Sequence, residues 1–169
     1  MIVAVGILAM IIVGLLAVFS QVTKALRGAN NQTDVLESGR MMTEMMGREL
    51  QQTSATGESN AFNFFASRIL GANPLSQDLP GGGTLDNDLE AMFFIVHENT
   101  TYKGIGYFVD PAANGIGTLY RFYRETNKVE EAYKFFAAFT NEVASLPNSP
   151  FMRRVTEGVV DLDVQVYDV

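Results

Sequence analysis

Residues 2–19 read IVAVGILAMIIVGLLAVF, an uncharged apolar run from Ile2 to Phe19, and no proline follows it until Pro74. About 18 residues at ~1.5 Å rise per residue give about 27 Å of helix, close to the hydrocarbon thickness of a bilayer. The stretch predicts a membrane span that continues directly into a polar helix. A secretory signal would carry basic residues ahead of its apolar core and a small-residue cleavage site behind it. Here only Met1 precedes the run, and Lys24 and Arg27 follow it. These flanks favour a retained span over a cleaved signal or a buried soluble helix. By the positive-inside rule, however, the same two cations draw the C-terminal flank toward the cytoplasm.

Within the span, Gly6, Ala9, Gly14 and Ala17 project onto one broad side. Small residues on one face let helices approach closely in lipid, where packing drives association. Assembly through this face is one reading, and the ordinary abundance of small residues in spans is the other. From Ser20 to Gln52 the pattern becomes a polar helix with a narrow apolar stripe of Val35, Met42, Met46 and Leu50, expected to pack on the rest of the chain. Gly28, Asn30, Asn31, Gly39 and Gly47 are weak helix formers, and a bend or frayed turn is expected near Gly28–Asn31. As one rod, residues 2–52 would extend roughly 75 Å.

Residues 53–88 read as a connecting loop rich in turn formers, with Pro74, Pro80 and Gly81–Gly83. Phe62, Phe65 and Ile69 stand at helical spacing and predict one short helix inside it. From Leu89 the period changes to two. Strands are expected at Ala91–Val96, Tyr102–Val109 and Gly117–Glu125, the last two forming an antiparallel hairpin around Asp110, Pro111, Asn114 and Gly115. A helix over about 127–146 follows, capped by Asn127 with Glu130 reaching back. Its Val129, Ala132, Tyr133, Phe136, Phe139 and Val143 share one side, and it stops before Pro147. Val160, Leu162, Val164 and Val166 then alternate with polar residues as the plainest strand pattern in the chain. The expected fold class is α+β. A transmembrane half-helix (1–20) and an amphipathic half (21–52) lead through the loop (53–88) to a small antiparallel sheet with one inserted helix (89–169).

Composition narrows the chemistry. Nineteen acidic against twelve basic residues give a net charge of −7, which repels phosphate backbones and argues against nucleic-acid binding. There is no cysteine, hence no disulfide and no thiolate nucleophile. His97 is the only histidine and reads as a surface or packed residue at a strand end. No HExxH, GxSxG, Walker loop or Rossmann glycine pattern occurs. Gly104-x-Gly106 and Gly115-x-Gly117 need only mark turns or close packing. Asp86, Asp88 and Glu90 after the triple glycine are a weak calcium candidate, weighed against a solvated acidic turn. Arg121, Arg124, Arg153 and Arg154 could pair with acids on a neighbouring subunit or stand as exposed strand charges. The chain is read as non-enzymatic, without a cofactor and without a small-molecule substrate.

Four stretches carry a resemblance: Met1-Ile-Val-Ala-Val-Gly-Ile-Leu-Ala-Met-Ile-Ile, Met45-Met-Gly-Arg-Glu-Leu-Gln-Gln, Leu119-Tyr-Arg-Phe-Tyr-Arg, and Val155 to Asp168 around Gly158-Val-Val-Asp-Leu-Asp-Val-Gln-Val-Tyr-Asp. Together they resemble the type IV pilin superfamily, most of all the minor pseudopilins of type II secretion, the pseudopilin J class. The resemblance implies a pilin-like fold and a filament subunit that assembles through its N-terminal helix with other pilin-like subunits. It also implies a place in the bacterial inner membrane, contact with its lipid, and a globular domain in the periplasm. Some pseudopilins bind calcium in a loop. Family members carry a basic leader, a glycine at the processing site, then phenylalanine and, a few residues on, an assembly glutamate. The chain reads as beginning a few residues inside the mature sequence, so no residue here takes that glutamate's role, and a removed basic leader would resolve the orientation conflict. Truncation soon after the last strand is a further expectation. The alternative reading is a single-pass membrane protein with a periplasmic ligand-binding or sensor domain.

Overall fold

A computed structural model describes residues 2–57, 61–68, 75–111, 116–146 and 149–167. Its first element is a single helix, α1 (Ile2–Gln51), which runs through Gly28–Asn31 as helix despite the weak formers there. Thr23, Thr33 and Thr43 hydroxyls donate to carbonyls four residues earlier, so these side chains bond within the helix rather than competing for its ends. The chain divides into two units, Met1–Met45 and Met46–Val169, the boundary lying inside this helix.

The second unit is built on a five-stranded antiparallel sheet in the order β1 (Phe64–Ser67), β4 (Ala91–Glu98), β5 (Thr101–Pro111), β6 (Gly117–Thr126), β7 (Met152–Val159). The three expected strands are present and slightly longer: β4 (Ala91–Glu98), β5 (Thr101–Pro111) and β6 (Gly117–Thr126). Asp110 and Pro111 belong to β5 rather than to the turn, while Asn114 and Gly115 lie outside the described residues. Glu98 pairs with Thr101 across a tight turn in which Asn99 takes φ 55°, a left-handed conformation asparagine tolerates.

The connector differs from expectation. Phe62 and Phe65 do not start a helix. Instead β1 (Phe64–Ser67) pairs with β4 as an edge strand, and Ile69 lies outside the described residues. Helical spacing misled here because both phenylalanines converge on Phe136, with ring centroids 4.5 and 4.7 Å away. A target shared by residues i and i+3 does not require a helix. Farther along, β2 (Leu75–Asp78) and β3 (Thr84–Asn87) form a separate hairpin around Gly81, Gly82 and Gly83, with φ of 119°, 93° and 99°. Three successive positive φ values are open to glycine and costly for other residues.

The inserted helix is in two pieces, α2 (Val129–Ala132) and α3 (Phe135–Ala144). The expected cap does not form. Asn127 Oδ1 accepts from the Thr101 hydroxyl instead, Lys128 is the capping residue without a side-chain bond, and Thr126 Oγ1 accepts the Lys128 N–H while donating to Glu131. The break changes the helical phase, so Phe135 is buried and Tyr133 exposed, whereas Ala132 and Phe139 are buried as expected.

One sheet face packs Ala91, Phe93, Ile95, Phe108, Phe122 and Met152 against Ala132, Phe135 and Phe139. Phe139 stacks on Phe93 and meets Phe122 edge-on, both at 5.6 Å between centroids, geometries that aromatic quadrupoles favour. Gly104 and Gly106 make this approach possible, since a Cβ on either would lie 2.7 Å from the Phe135 or Phe139 ring. The close-packing reading of this glycine pair therefore holds.

The last strand is also displaced. β7 is Met152–Val159, and Val160–Val166 forms no ladder. Irregularities opposite Thr118 and Leu119 leave Val155 and Gly158 without partners, Gly158 at φ 90°. Such bulges shift the in-out phase of the strand, which hid β7 from a period-two search. The alternation at 160–166 survives only in burial: Leu162 and Val164 are half-buried, through a single parallel bridge from Leu162 to Leu89 and a Val164 N–H donated to Glu90.

Candidate functional site

The candidate site has two parts: the apolar stretch of α1, and the attachment of its last turn to the sheet. One described helix is long and apolar enough to cross a membrane, it lies near the N-terminus, and none of its apolar window is buried. Val3, Ile7, Leu8, Met10, Val13, Leu15 and Leu16 are each more than half exposed. Gly6, Gly14 and Ala17 are exposed too, while the side chain of Ala9 lies outside the described residues. A Cβ on Gly6 or Gly14 would meet nothing within 4 Å. Among the described residues no contact accounts for glycine at either position.

Of the expected packing stripe, Met42, Met46 and Leu50 are half-buried, while Val35 is 65 % exposed. The apolar face needs cover only toward the end of the helix.

Sequence reasoning missed what fixes that end. Glu49, in the last turn of α1, lies over the sheet face opposite α3. There it accepts from Arg121 Nη2 at 2.6 Å and from Arg121 Nε at 3.1 and 3.3 Å on its two oxygens. The Tyr107 hydroxyl donates to the same carboxylate. Tyr107 and Arg121 face each other directly across β5 and β6, so the sheet register brings both donors to one place. The Arg121 and Glu49 side chains are 21 % and 18 % exposed, and Met92, Phe94, Ile105, Val109 and Leu119 on nearby strands are buried. A planar guanidinium binding both oxygens of a carboxylate fixes orientation as well as charge.

Burial, then the bond to Glu49, raises the Tyr107 phenol above its ordinary value. Burial alone would lower Arg121, but bonding to Glu49 and its charge outweigh this and raise it. The expected turn at Asp110–Gly115 would have set position 107 opposite 118; the observed pairing of Pro111 with Gly117 sets it opposite 121 instead, so the sequence placed the two strands side by side but not in this register.

Arg124 lies over the Phe151 ring at 4.9 Å, Arg154 pairs with Glu157, and Arg153 is exposed. Asp86 accepts from Ser76, and Arg68 bonds both Asp88 at 2.7 Å and Glu90 at 3.3 Å. A cation already occupies the acidic turn, and among the described residues no group of three or more His, Asp or Glu side chains is arranged to hold a metal. His97 is exposed and stacks on Tyr102, with 4.2 Å between ring centroids. Beside it Lys103 bonds Glu98 at 2.6 Å, which lowers the Glu98 carboxyl and raises the Lys103 amine. These charges are spent on each other.

No protein-family model, curated protein or solved structure matches the chain.

Proposed function

We propose that the chain is a structural subunit of a pilin-like filament, in particular a minor pseudopilin of a type II secretion pseudopilus or a related machine. The observation that carries this reading is one continuous helix whose first part is apolar and uncovered while its last turn is fixed to a sheet by Glu49. Such a helix suits a subunit that waits in the bacterial inner membrane and assembles by exchanging lipid contacts for contacts with the spans of other subunits. Lipid tails and apolar side chains are similar surroundings, so the exchange needs close packing rather than a new hydrophobic gain. Gly6 and Gly14, unexplained within the chain, would admit a neighbouring backbone. The sheet domain, in the periplasm on this reading, would then choose neighbours, and Glu49 would transmit the position of the helix to it.

Cysteine crosslinking tests the proposal cleanly because the chain has no native cysteine. With Ala17→Cys in the full chain, which leaves Gly6 and Gly14 in place, native membranes should yield crosslinks between spans of pilin-like subunits. A span that stays monomeric under all conditions overturns the reading in favour of a simple anchor.

A further inference from the structure

Past Phe19 the apolar surface of α1 narrows rather than ends. At about 100° per residue, Val22, Ala25, Leu26 and Ala29 fall within an arc of about 100°, and Lys24 and Arg27 stand on the opposite side. All six side chains are exposed. Neither cation enters an ion pair among the described residues, and nor do the exposed Asp34 and Glu37 farther along. The next charges are already engaged, Arg40 with Glu44 at 2.9 Å.

The order of the free four along the axis is the informative part. Counted from Phe19, where the uncharged run stops, Lys24 lies about 8 Å and Arg27 about 12 Å farther along the helix, and Asp34 and Glu37 about 22 and 27 Å. The polar layer of a bilayer is about 5–8 Å deep on each side. Helical side chains point toward the N-terminus, and long basic ones lay their stems on apolar surface while their heads stay in the polar layer. Lys24 and Arg27 therefore reach the level of the phosphates. The two acids stand beyond that level by more than a Debye length of about 8 Å. With the order reversed, the same four charges would repel an anionic surface.

We infer that residues 20–29 are a docking face for anionic phospholipid headgroups. Val22, Ala25, Leu26 and Ala29 lie along the hydrocarbon boundary, while Lys24 and Arg27 bond headgroup phosphates of the leaflet next to the sheet unit. The inference rests on the membrane span of the proposed function and deepens it, because it names the lipid class that holds the subunit before assembly. The net charge of −7 does not oppose it: the first acidic side chain in the sequence is Asp34, so residues 2–33 carry only these two side-chain charges, both positive. Assembly must release the bound lipids. The anionic content of the membrane then sets how readily a subunit leaves it.

The chain has no tryptophan, so Phe19→Trp supplies a single reporter at the boundary. The full chain carrying it is reconstituted in vesicles of phosphatidylcholine mixed with phosphatidylglycerol, with brominated acyl chains on one lipid and then on the other. The ratio of the two quenching curves gives the relative association of the lipids with the helix. Phosphatidylglycerol should be preferred by about fivefold, the scale of one cation's attraction to an anionic surface. K24Q/R27Q should bring the ratio to unity, whereas K24R/R27K, which keeps the charge, and D34N/E37N, which lies beyond the headgroups, should leave it at the parent value. Equal quenching by both lipids in the parent, or a preference that survives K24Q/R27Q, overturns the headgroup site and leaves the span standing. Quenching by neither lipid places residue 19 outside the bilayer and overturns the span together with the inference.

Discussion

Cutting Glu49 back to alanine removes three Arg121 contacts and the acceptor of the Tyr107 hydroxyl at once. Arg121 keeps its charge in a place only 21 % exposed. Breaking a fully buried ion pair costs ~3–5 kcal/mol, and stranding a buried polar group ~1–3. With a fifth of each side chain still reached by water, about 2–3 kcal/mol is expected for Glu49→Ala. Arg121→Met leaves the carboxylate stranded instead and should cost a similar amount. Glu49→Met with Arg121→Met replaces the pair by apolar side chains and should cost about 1 kcal/mol or less; with Glu49→Met as the matching single, expected to cost as much as Glu49→Ala, the cycle gives a coupling of about 3–5 kcal/mol. The full chain in detergent micelles can be unfolded in urea and followed by near-UV circular dichroism of its six tyrosines, since it has no tryptophan. Hydrogen exchange at residues 46–51 supplies the local reading, where 2 kcal/mol corresponds to roughly thirtyfold faster exchange. A double variant that costs the sum of the two singles would refute the reasoning, because the residues would then act independently.

Tyr107 should be the last of the six tyrosines to ionise when absorbance near 295 nm is followed with pH, and Tyr107→Phe should delete that late step. Because its folded value lies above the unfolded value of about 10, the associated stability is fully present below pH ~10 and declines as pH rises toward the folded value. Unfolding midpoints should fall across that window, less steeply in Tyr107→Phe. Gly106→Ala drives a methyl to 2.7 Å from the Phe139 ring and should destabilise the sheet unit by about 1–3 kcal/mol. Phe139→Leu in the same chain should recover part of the loss in the same urea titration. Val13→Lys places a charge mid-span at a cost of ~2.5–3.5 kcal/mol for insertion, and alkaline carbonate should then extract the chain from membranes that retain the parent.

The readable parts of this fold were those whose periodicity is set by one dominant neighbour. None of the apolar window of α1 is buried among the described residues, so its uniform composition was legible as one helix long and apolar enough to cross a membrane. β4, β5 and β6 are central, and cover by α3 on one face and the end of α1 on the other buries β4 and β5 in unbroken stretches, which made them legible as short apolar runs. Errors collected at the edges and interruptions. β1 has only four residues, two bulges spoil the alternation of β7, and the break after Ala132 rotates Phe135 inward where a continuous helix would bury Tyr133. For the candidate site, a helix long and apolar enough to cross a membrane was legible from composition, whereas Glu49–Arg121 depends on two positions 72 residues apart. A lone glutamate and a lone arginine carry no local sign of each other. Only the hairpin register, which sets Tyr107 against Arg121, narrows the search.

The exposed helix also settles where specificity must reside if the chain assembles. Residues 2–19 are uncharged, and hydrocarbon tails or apolar side chains cover such a surface almost equally well. The span can therefore supply compatibility with many partners but little discrimination among them. Discrimination falls to groups that lose something when mismatched, namely the free charges of residues 24–37 and the exposed surface of the sheet unit. Glu49 stands at the join between these two sources of selectivity, in the last turn of the helix and bonded to β5 and β6. Holding the last helical turn against β5 and β6 lets the register chosen by the helix and the neighbour chosen by the sheet act together. If Glu49→Ala loosens it, the same chain should still insert and still crosslink through Ala17→Cys, but with a broader distribution of partners and registers.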